Sequence, residues 1–119
     1  MVYKEKYLYL IKNNFKKFNV KILAYVIMSN HVHLCLYYEN IEDLSKFMHT
    51  INSDFARYYN FVKTRVGYVF KNRYYTQEIK NQAQLFNTIA YIHKNPVKAG
   101  IVSETNQYRF SSYNEYVKR

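Results

Sequence analysis

The residues from Met28 to Leu34 place two histidines two positions apart in an otherwise apolar run, MSNHVHL. In a β-strand, residues i and i+2 project from the same face. The spacing therefore predicts that His31 and His33 lie side by side on one face. The apolar residues that alternate with them are expected to face a core: Val32, Leu34 and Leu36. Paired neutral imidazoles bind divalent metals, and a rigid strand holds them in position. The alternative is a pair of half-exposed strand histidines that bind no ligand.

Length and composition indicate one ordered domain spanning residues 1–119. The chain is 49% hydrophobic and 22% charged, with two glycines and one proline. No apolar run approaches the roughly 20 residues needed to cross a bilayer, and the N-terminus lacks the apolar core of a signal peptide. The single cysteine, Cys35, excludes an internal disulfide and suits a reducing cytoplasm. Cys35 alternates onto the histidine face, where packing is expected rather than metal ligation.

The charge balance favours a polyanionic partner. Eighteen Lys and Arg against eight Asp and Glu give a net charge of +10, among fifteen Tyr and eight Phe. Aromatic rings beside basic side chains supply the base stacking and phosphate neutralisation that single-stranded nucleic acid requires. Many basic proteins bind nothing specific, however, and most of these aromatic residues must also build the core. We expect nucleic acid as the partner and no membrane.

Hydrophobic periodicity predicts an α+β fold with an antiparallel sheet and helices packed on one face. We expect a helix over residues 4–18 and a hairpin of strands 20–27 and 31–38. A long helix is expected to start after Asn40 and stop near Gly67, followed by a strand over 68–79. Asn81 and Gln84 are predicted to cap a helix with the apolar stripe Leu85, Ile89 and Ile92. Pro96 is expected to end that helix, and short elements follow it.

The helix after Asn81 carries a tyrosine and a carboxamide on the side opposite its apolar stripe. Tyr91 and Asn95 are i and i+4, so they lie one above the other. Two imidazole nitrogens and one amide oxygen can hold a hard divalent ion with positions open for phosphate oxygens, beside a phenol able to attack phosphorus. Without the other residues of the pattern, Tyr91 would be interpreted as a surface tyrosine and Asn95 as a residue that ends the helix. We expect only structural roles for His49 and His93.

Four segments, in order, resemble the REP-associated tyrosine transposases, a branch of the IS200/IS605-like transposases. Residues 28–34 look like the histidine–hydrophobe–histidine (HUH) motif of that family, and residues 91–102 (YIHKNPVKAGIV) look like its tyrosine segment. Residues 67–74 (GYVFKNRY) are similar to the segment that precedes the tyrosine helix. Residues 108–113 (YRFSSY) resemble the aromatic-Ser-Ser-Tyr tail. Together the segments extend over about seven-tenths of the chain, which makes them far more specific than any single motif.

The resemblance implies a ferredoxin-like HUH nuclease that cleaves and rejoins single-stranded DNA flanked by short imperfect hairpins. His31 and His33 would be metal ligands, with Asn95 the third, for Mg²⁺ or Mn²⁺. Tyr91 would be the nucleophile, forming a 5′-phosphotyrosine bond and releasing a 3′-hydroxyl. Lys71, Arg73 and Lys80 are candidate phosphate contacts. A protein of this kind would act in the bacterial cytoplasm, associated with the nucleoid.

Two departures from the family pattern affect this interpretation. Family members usually begin with a further strand before the first helix, which is missing here, so an unpaired sheet edge and a possible homodimer are expected. Ser29 replaces a common proline, with little expected consequence. A decayed or domesticated relative that binds hairpin DNA without cutting it is therefore an alternative, as is an RNA-binding α+β module. A metallonuclease using the same ligands would cut with water instead of the tyrosine.

Overall fold

The computed structural model describes residues 2–29, 31–63 and 77–117. The elements are α1 (Val2–Asn14), β1 (Lys21–Ile27), β2 (Val32–Tyr37), α2 (Ile41–Lys63), α3 (Gln82–Lys98), a 3₁₀ turn (Thr105–Gln107) and α4 (Tyr113–Val117). This α+β arrangement with its antiparallel hairpin confirms the predicted fold class. No helix within the described ranges combines the length and apolarity needed to span a bilayer.

Contacts divide the chain into two compact units, one of which holds α1 and α2. The helices pack through an apolar core in which Ile11, Phe47 and Ile51 are fully buried. The rings of Tyr7 and Phe55 meet edge to face with centroids 5.3 Å apart. Burial raises the pKa of Tyr7 far above its ordinary value, so this residue contributes to the core as a neutral phenol.

The first helix is shorter than the predicted span 4–18, because the chain turns after Asn14. The Asn14 side chain donates to the Leu10 carbonyl at 2.8 Å, and residues 15–19 form a turn. Asn19 has a φ of 61°, a left-handed conformation that asparagine tolerates better than most residues. This local hydrogen bonding competes with helix continuation and directs the chain into β1. The predicted helix end near Gly67 lies outside the described residues.

The second unit holds most of both strands, α3 and the C-terminal elements. A bond from the Met28 N–H to the His31 carbonyl, at 2.9 Å, closes the predicted hairpin. On its other side, β1 pairs with the C-terminal segment: Val26 forms an antiparallel bridge with Ser111, and the Tyr108 hydroxyl donates to the Ile27 carbonyl at 2.6 Å. Pairing on both sides explains why Ala24 through Ile27 are all buried.

The predicted cap of α3 is confirmed, whereas its predicted end at Pro96 is wrong. The Asn81 side chain accepts the Gln84 N–H, and the Gln84 side chain accepts the Lys80 N–H, each at 2.8 Å. The helix continues through Pro96 to Lys98. Proline removes one N–H but its φ is helical, and here its ring is buried, which offsets the missing hydrogen bond. Gly100, with a φ of 76°, supplies the left-handed residue just after the helix.

The apolar pattern of α3 and the extended segment before it also differ from expectation. Ile92 is buried as predicted, but Leu85 and Ile89 are only half-buried, and His93 and Pro96 complete the buried face. The buried face is thus concentrated in the second half of the helix. Of the strand predicted over 68–79, residues 68–76 lie outside the described part, and residues 77–79 have no regular structure.

Candidate active site

The structure places the two histidines side by side on the hairpin. His31 immediately precedes β2 and His33 is its second residue. Their ring centroids are 4.9 Å apart, with the rings nearly perpendicular. This is the geometry expected for i and i+2 on one strand face. His31 is exposed and His33 is half-buried, so the pair opens to solvent on one side.

Electrostatics favour the metal-binding form of His33. Burial, and secondly the neighbouring His31, lower the pKa of His33 below its ordinary value. His33 is therefore neutral at pH 7 and offers a nitrogen lone pair, the form in which histidine binds a metal. Cys35, on the same face, is buried, and burial raises the pKa of its thiol. The protonated thiol packs in the core as expected and is a poor ligand.

The apolar side of β2 is less buried than the alternation predicts. Val32, Leu34 and Leu36 are each half-buried, whereas Cys35 on the histidine face is 3% exposed. Both faces of β2 are thus partly covered, and among the described residues this strand pairs only with β1. The histidine face is therefore not simply the solvent side of the strand.

Helix α3 brings Tyr91 to the histidines. The Tyr91 ring lies 5.8 Å from the His33 ring, centroid to centroid, in a T-shaped contact. The side chain stays 50% exposed, so its hydroxyl is accessible to a ligand. Lys98 completes these surroundings, with its Nζ 5.7 Å from the centroid of the Tyr91 ring. The position of Lys98 differs from expectation, because a helix that ends at Pro96 would not carry this residue.

The metal donors expected from the sequence are two imidazoles and a carboxamide. Among the described residues, no three His, Cys, Asp or Glu side chains cluster closely enough to hold a metal. Asn95, one turn after Tyr91 on α3, is half-buried, and its side-chain oxygen is a hard donor outside those residue types. Imidazole nitrogens with one amide oxygen are a suitable mixed donor set for a divalent ion.

The candidate DNA contacts are described only in part. Lys71 and Arg73 lie outside the described residues. Lys80 lies just before α3, and its backbone N–H donates to the Gln84 side chain. Its side chain is exposed near the start of the helix that carries Tyr91. His49 is exposed on α2, in the unit that does not contain the histidine pair.

The opposite side of α3 is anchored by a buried polar contact. His93 Nε2 lies 2.8 Å from Ser112 Oγ, and burial lowers the pKa of His93. Ser112 Oγ also accepts the Tyr25 N–H at 3.0 Å, which links α3 through the C-terminal segment to β1. The rings of Tyr113 and Tyr116 pack on His93 at 5.5 and 4.9 Å. The structural role expected for His93 is what the contacts indicate: it fixes the helix that presents Tyr91.

Replacing Ser112 with alanine is expected to lower the free energy of unfolding by about 1–3 kcal/mol. The change removes the hydroxyl that contacts two buried groups, the Tyr25 N–H and His93 Nε2. Urea unfolding followed by circular dichroism measures the effect. Ser45→Ala, an exposed change on α2, is the matched control and should alter stability by less than about 0.5 kcal/mol. An equally small effect at Ser112 would contradict the anchoring role.

Two comparisons with known proteins give a family and a shared fold. The family model described as "Transposase IS200 like" matches residues 2–95. Among solved structures, that of a REP-associated tyrosine transposase bound to a REP hairpin is similar, with a TM-score of 0.83 and 22% sequence identity. The match covers 96% of this chain and 67% of that one. No curated protein matches the chain.

These findings confirm the family resemblance drawn from the motifs. The solved structure shares the fold, at an identity too low to carry more than that. The family match includes both histidines, Tyr91 and Asn95, and it spans well over half of the sequence. The chain therefore belongs to the IS200-like transposase family.

Proposed function

We propose that residues 1–119 form a single catalytic domain that cleaves and rejoins hairpin-flanked single-stranded DNA, with Tyr91 as nucleophile. The observation that carries the proposal is the contact between the Tyr91 ring and the His33 ring, 5.8 Å apart, beside the second histidine. A phenol lies beside a pair of imidazoles in a protein of a transposase family, and the same helix carries a carboxamide one turn after the phenol. That combination supports transfer of a phosphoryl group through a covalent enzyme intermediate.

The reaction forms one phosphorus–oxygen bond and breaks another. The Tyr91 oxygen attacks the phosphorus of a DNA phosphodiester as its hydroxyl proton is lost. The bond from phosphorus to the 3′-oxygen breaks, and that oxygen takes up a proton to become a free 3′-hydroxyl. The downstream strand stays attached to Tyr91 through its 5′-phosphate. A 3′-hydroxyl attacking this phosphotyrosine reverses the step and rejoins strands, so no nucleotide cofactor is consumed.

We propose that His31, His33 and the Asn95 side-chain oxygen hold Mg²⁺ or Mn²⁺. A divalent ion bound by these residues would polarise the scissile phosphate and stabilise its developing negative charge. The neutral state of His33, favoured by its burial and by His31, supports this role. The T-shaped packing of Tyr91 against His33 supports the orientation of the phenol toward the same phosphate.

Charge and family support DNA as the substrate. The net charge of +10 neutralises phosphates, and the similar solved transposase is bound to a REP hairpin. We propose Lys71, Arg73 and Lys80 as phosphate contacts, and the bacterial cytoplasm and its nucleoid as the place of action. The outer edge of β2 has no strand partner within the described ranges, which is compatible with the homodimer suggested by the sequence.

A covalent-trapping assay tests the proposal. The protein is incubated with a pool of single-stranded hairpin oligonucleotides and Mn²⁺, with EDTA as the control, and run on a denaturing gel. Because the downstream strand stays on the protein, a 3′-labelled oligonucleotide should give a labelled protein band. A 5′-labelled one should give only a shorter free strand. Hairpin binding without any adduct or cleavage would reject the catalytic proposal in favour of a DNA-binding relative that does not cut.

A further inference from the structure

Lys98 lies on the same side of α3 as Tyr91 because the helix continues through Pro96. The two residues are seven positions apart, which is close to two full helical turns. Side chains on a helix lean toward its N-terminus, so Lys98 leans back toward Tyr91. The result is the 5.7 Å approach of Nζ to the centroid of the Tyr91 ring. The ammonium thus stands against the ring on the exposed side of α3, while His33 contacts the same ring from β2.

The charge of Lys98 is available for a ligand. Its side chain is exposed, and within the described part of the chain no carboxylate forms an ion pair with it. Helix α3 itself contains no Asp or Glu between Gln82 and Lys98. A cation held over an exposed aromatic ring is weakly bound and can exchange this contact for a phosphate. An ammonium with three donors on a flexible stem is a common phosphate-binding group in proteins.

We propose that Lys98 is a further residue of the active site, which binds the non-bridging oxygens of the phosphate attacked by Tyr91. The inference rests on the proposed function, since it concerns the same phosphate. Negative charge accumulates on these oxygens in the transition state, and a positive group held close to them lowers the barrier. The same interaction stabilises the phosphotyrosine until the 3′-hydroxyl returns.

A purely structural role for Lys98 would have different consequences. A cation in the last turn of a helix interacts favourably with the partial negative charge of that end. Loss of that interaction alone would lower the melting temperature and leave the reaction rate and the DNA affinity unchanged. The test therefore needs one readout of chemistry and one of phosphate binding.

The variants are Lys98→Gln, Lys98→Arg and a charge-matched control, Lys46→Gln, an exposed lysine of α2 outside the candidate site. Adduct formation is measured in single turnovers at saturating hairpin oligonucleotide with Mn²⁺. Lys98→Gln should slow the adduct rate by about 100-fold, as loss of a charge-stabilising donor does elsewhere. Lys98→Arg should restore much of that rate, and Lys46→Gln should leave it unchanged.

Binding is measured separately, as affinity for the same oligonucleotide over a range of salt concentrations. Because Lys98→Gln neutralises one phosphate fewer on a single strand, it should reduce the slope of log affinity against log salt by about 0.7. The salt dependence of binding can be measured without cleavage. If Lys98→Gln shows the expected change of slope but no variant forms an adduct, the proposed function is rejected while phosphate binding by Lys98 is supported. An unchanged slope, or an unchanged rate at saturation in Lys98→Gln, would overturn the inference.

Discussion

Replacing Tyr91 with phenylalanine is expected to reduce covalent adduct formation by about 1,000-fold or more, while hairpin binding is retained. The change removes one oxygen and keeps the ring that packs against His33. Stability should therefore be nearly unaffected, because the side chain is half exposed. The measurement is the rate of adduct formation with a 3′-labelled hairpin oligonucleotide, together with its dissociation constant.

The matched control is Tyr9→Phe, which removes a hydroxyl from an exposed tyrosine of α1. It should form the adduct at the rate of the unchanged protein. A hydrolytic metallonuclease would use a water molecule instead of the phenol, and its strand cleavage would survive Tyr91→Phe. Cleavage that persists in this variant would therefore overturn the tyrosine mechanism while leaving the histidine pair in place.

Local sequence patterns were sufficient for the elements that build the histidine pair and begin α3. The alternation around His31 and His33 depends only on strand geometry, and the structure brings the rings within 4.9 Å. The Asn81 cap likewise depends on residues within one turn, and its hydrogen bond to Gln84 is present. Both features depend only on residues close together in the sequence, so they can be predicted without knowledge of the tertiary structure.

The rest of the site depends on contacts between distant residues. The rule that proline ends a helix considers only the lost hydrogen bond and the local backbone clash. Helix α3 nevertheless continues to Lys98, with Pro96 buried. The anchor between His93 and Ser112 joins positions 19 residues apart. Lys98 approaches Tyr91 because α3 continues through Pro96, and the orientation of α3 is fixed by the contact between His93 and Ser112. Neither the continued helix nor this contact produces a periodic pattern in the sequence.

Replacing His33 with alanine is expected to slow adduct formation by about 100-fold or more at a fixed Mn²⁺ concentration. The variant loses one of two paired imidazoles, leaving His31 without its neighbour 4.9 Å away. Direct Mn²⁺ titration, followed by calorimetry, should show weaker metal binding in the absence of DNA. Metal affinity and adduct rate should fall together, because the His33 imidazole nitrogen is proposed to bind the ion that the reaction requires.

His49→Ala is the matched control, since His49 is exposed on α2 and belongs to the other unit of the chain. It should leave both measurements unchanged. His33 also packs on the Tyr91 ring, so its loss could slow the reaction through the phenol alone. The Mn²⁺ titration separates the two causes: a slow His33→Ala variant with unaltered metal affinity would assign His33 to holding Tyr91 and remove it from the ligand set. A loss of metal affinity that parallels the loss of rate would instead assign the histidine pair to the ion.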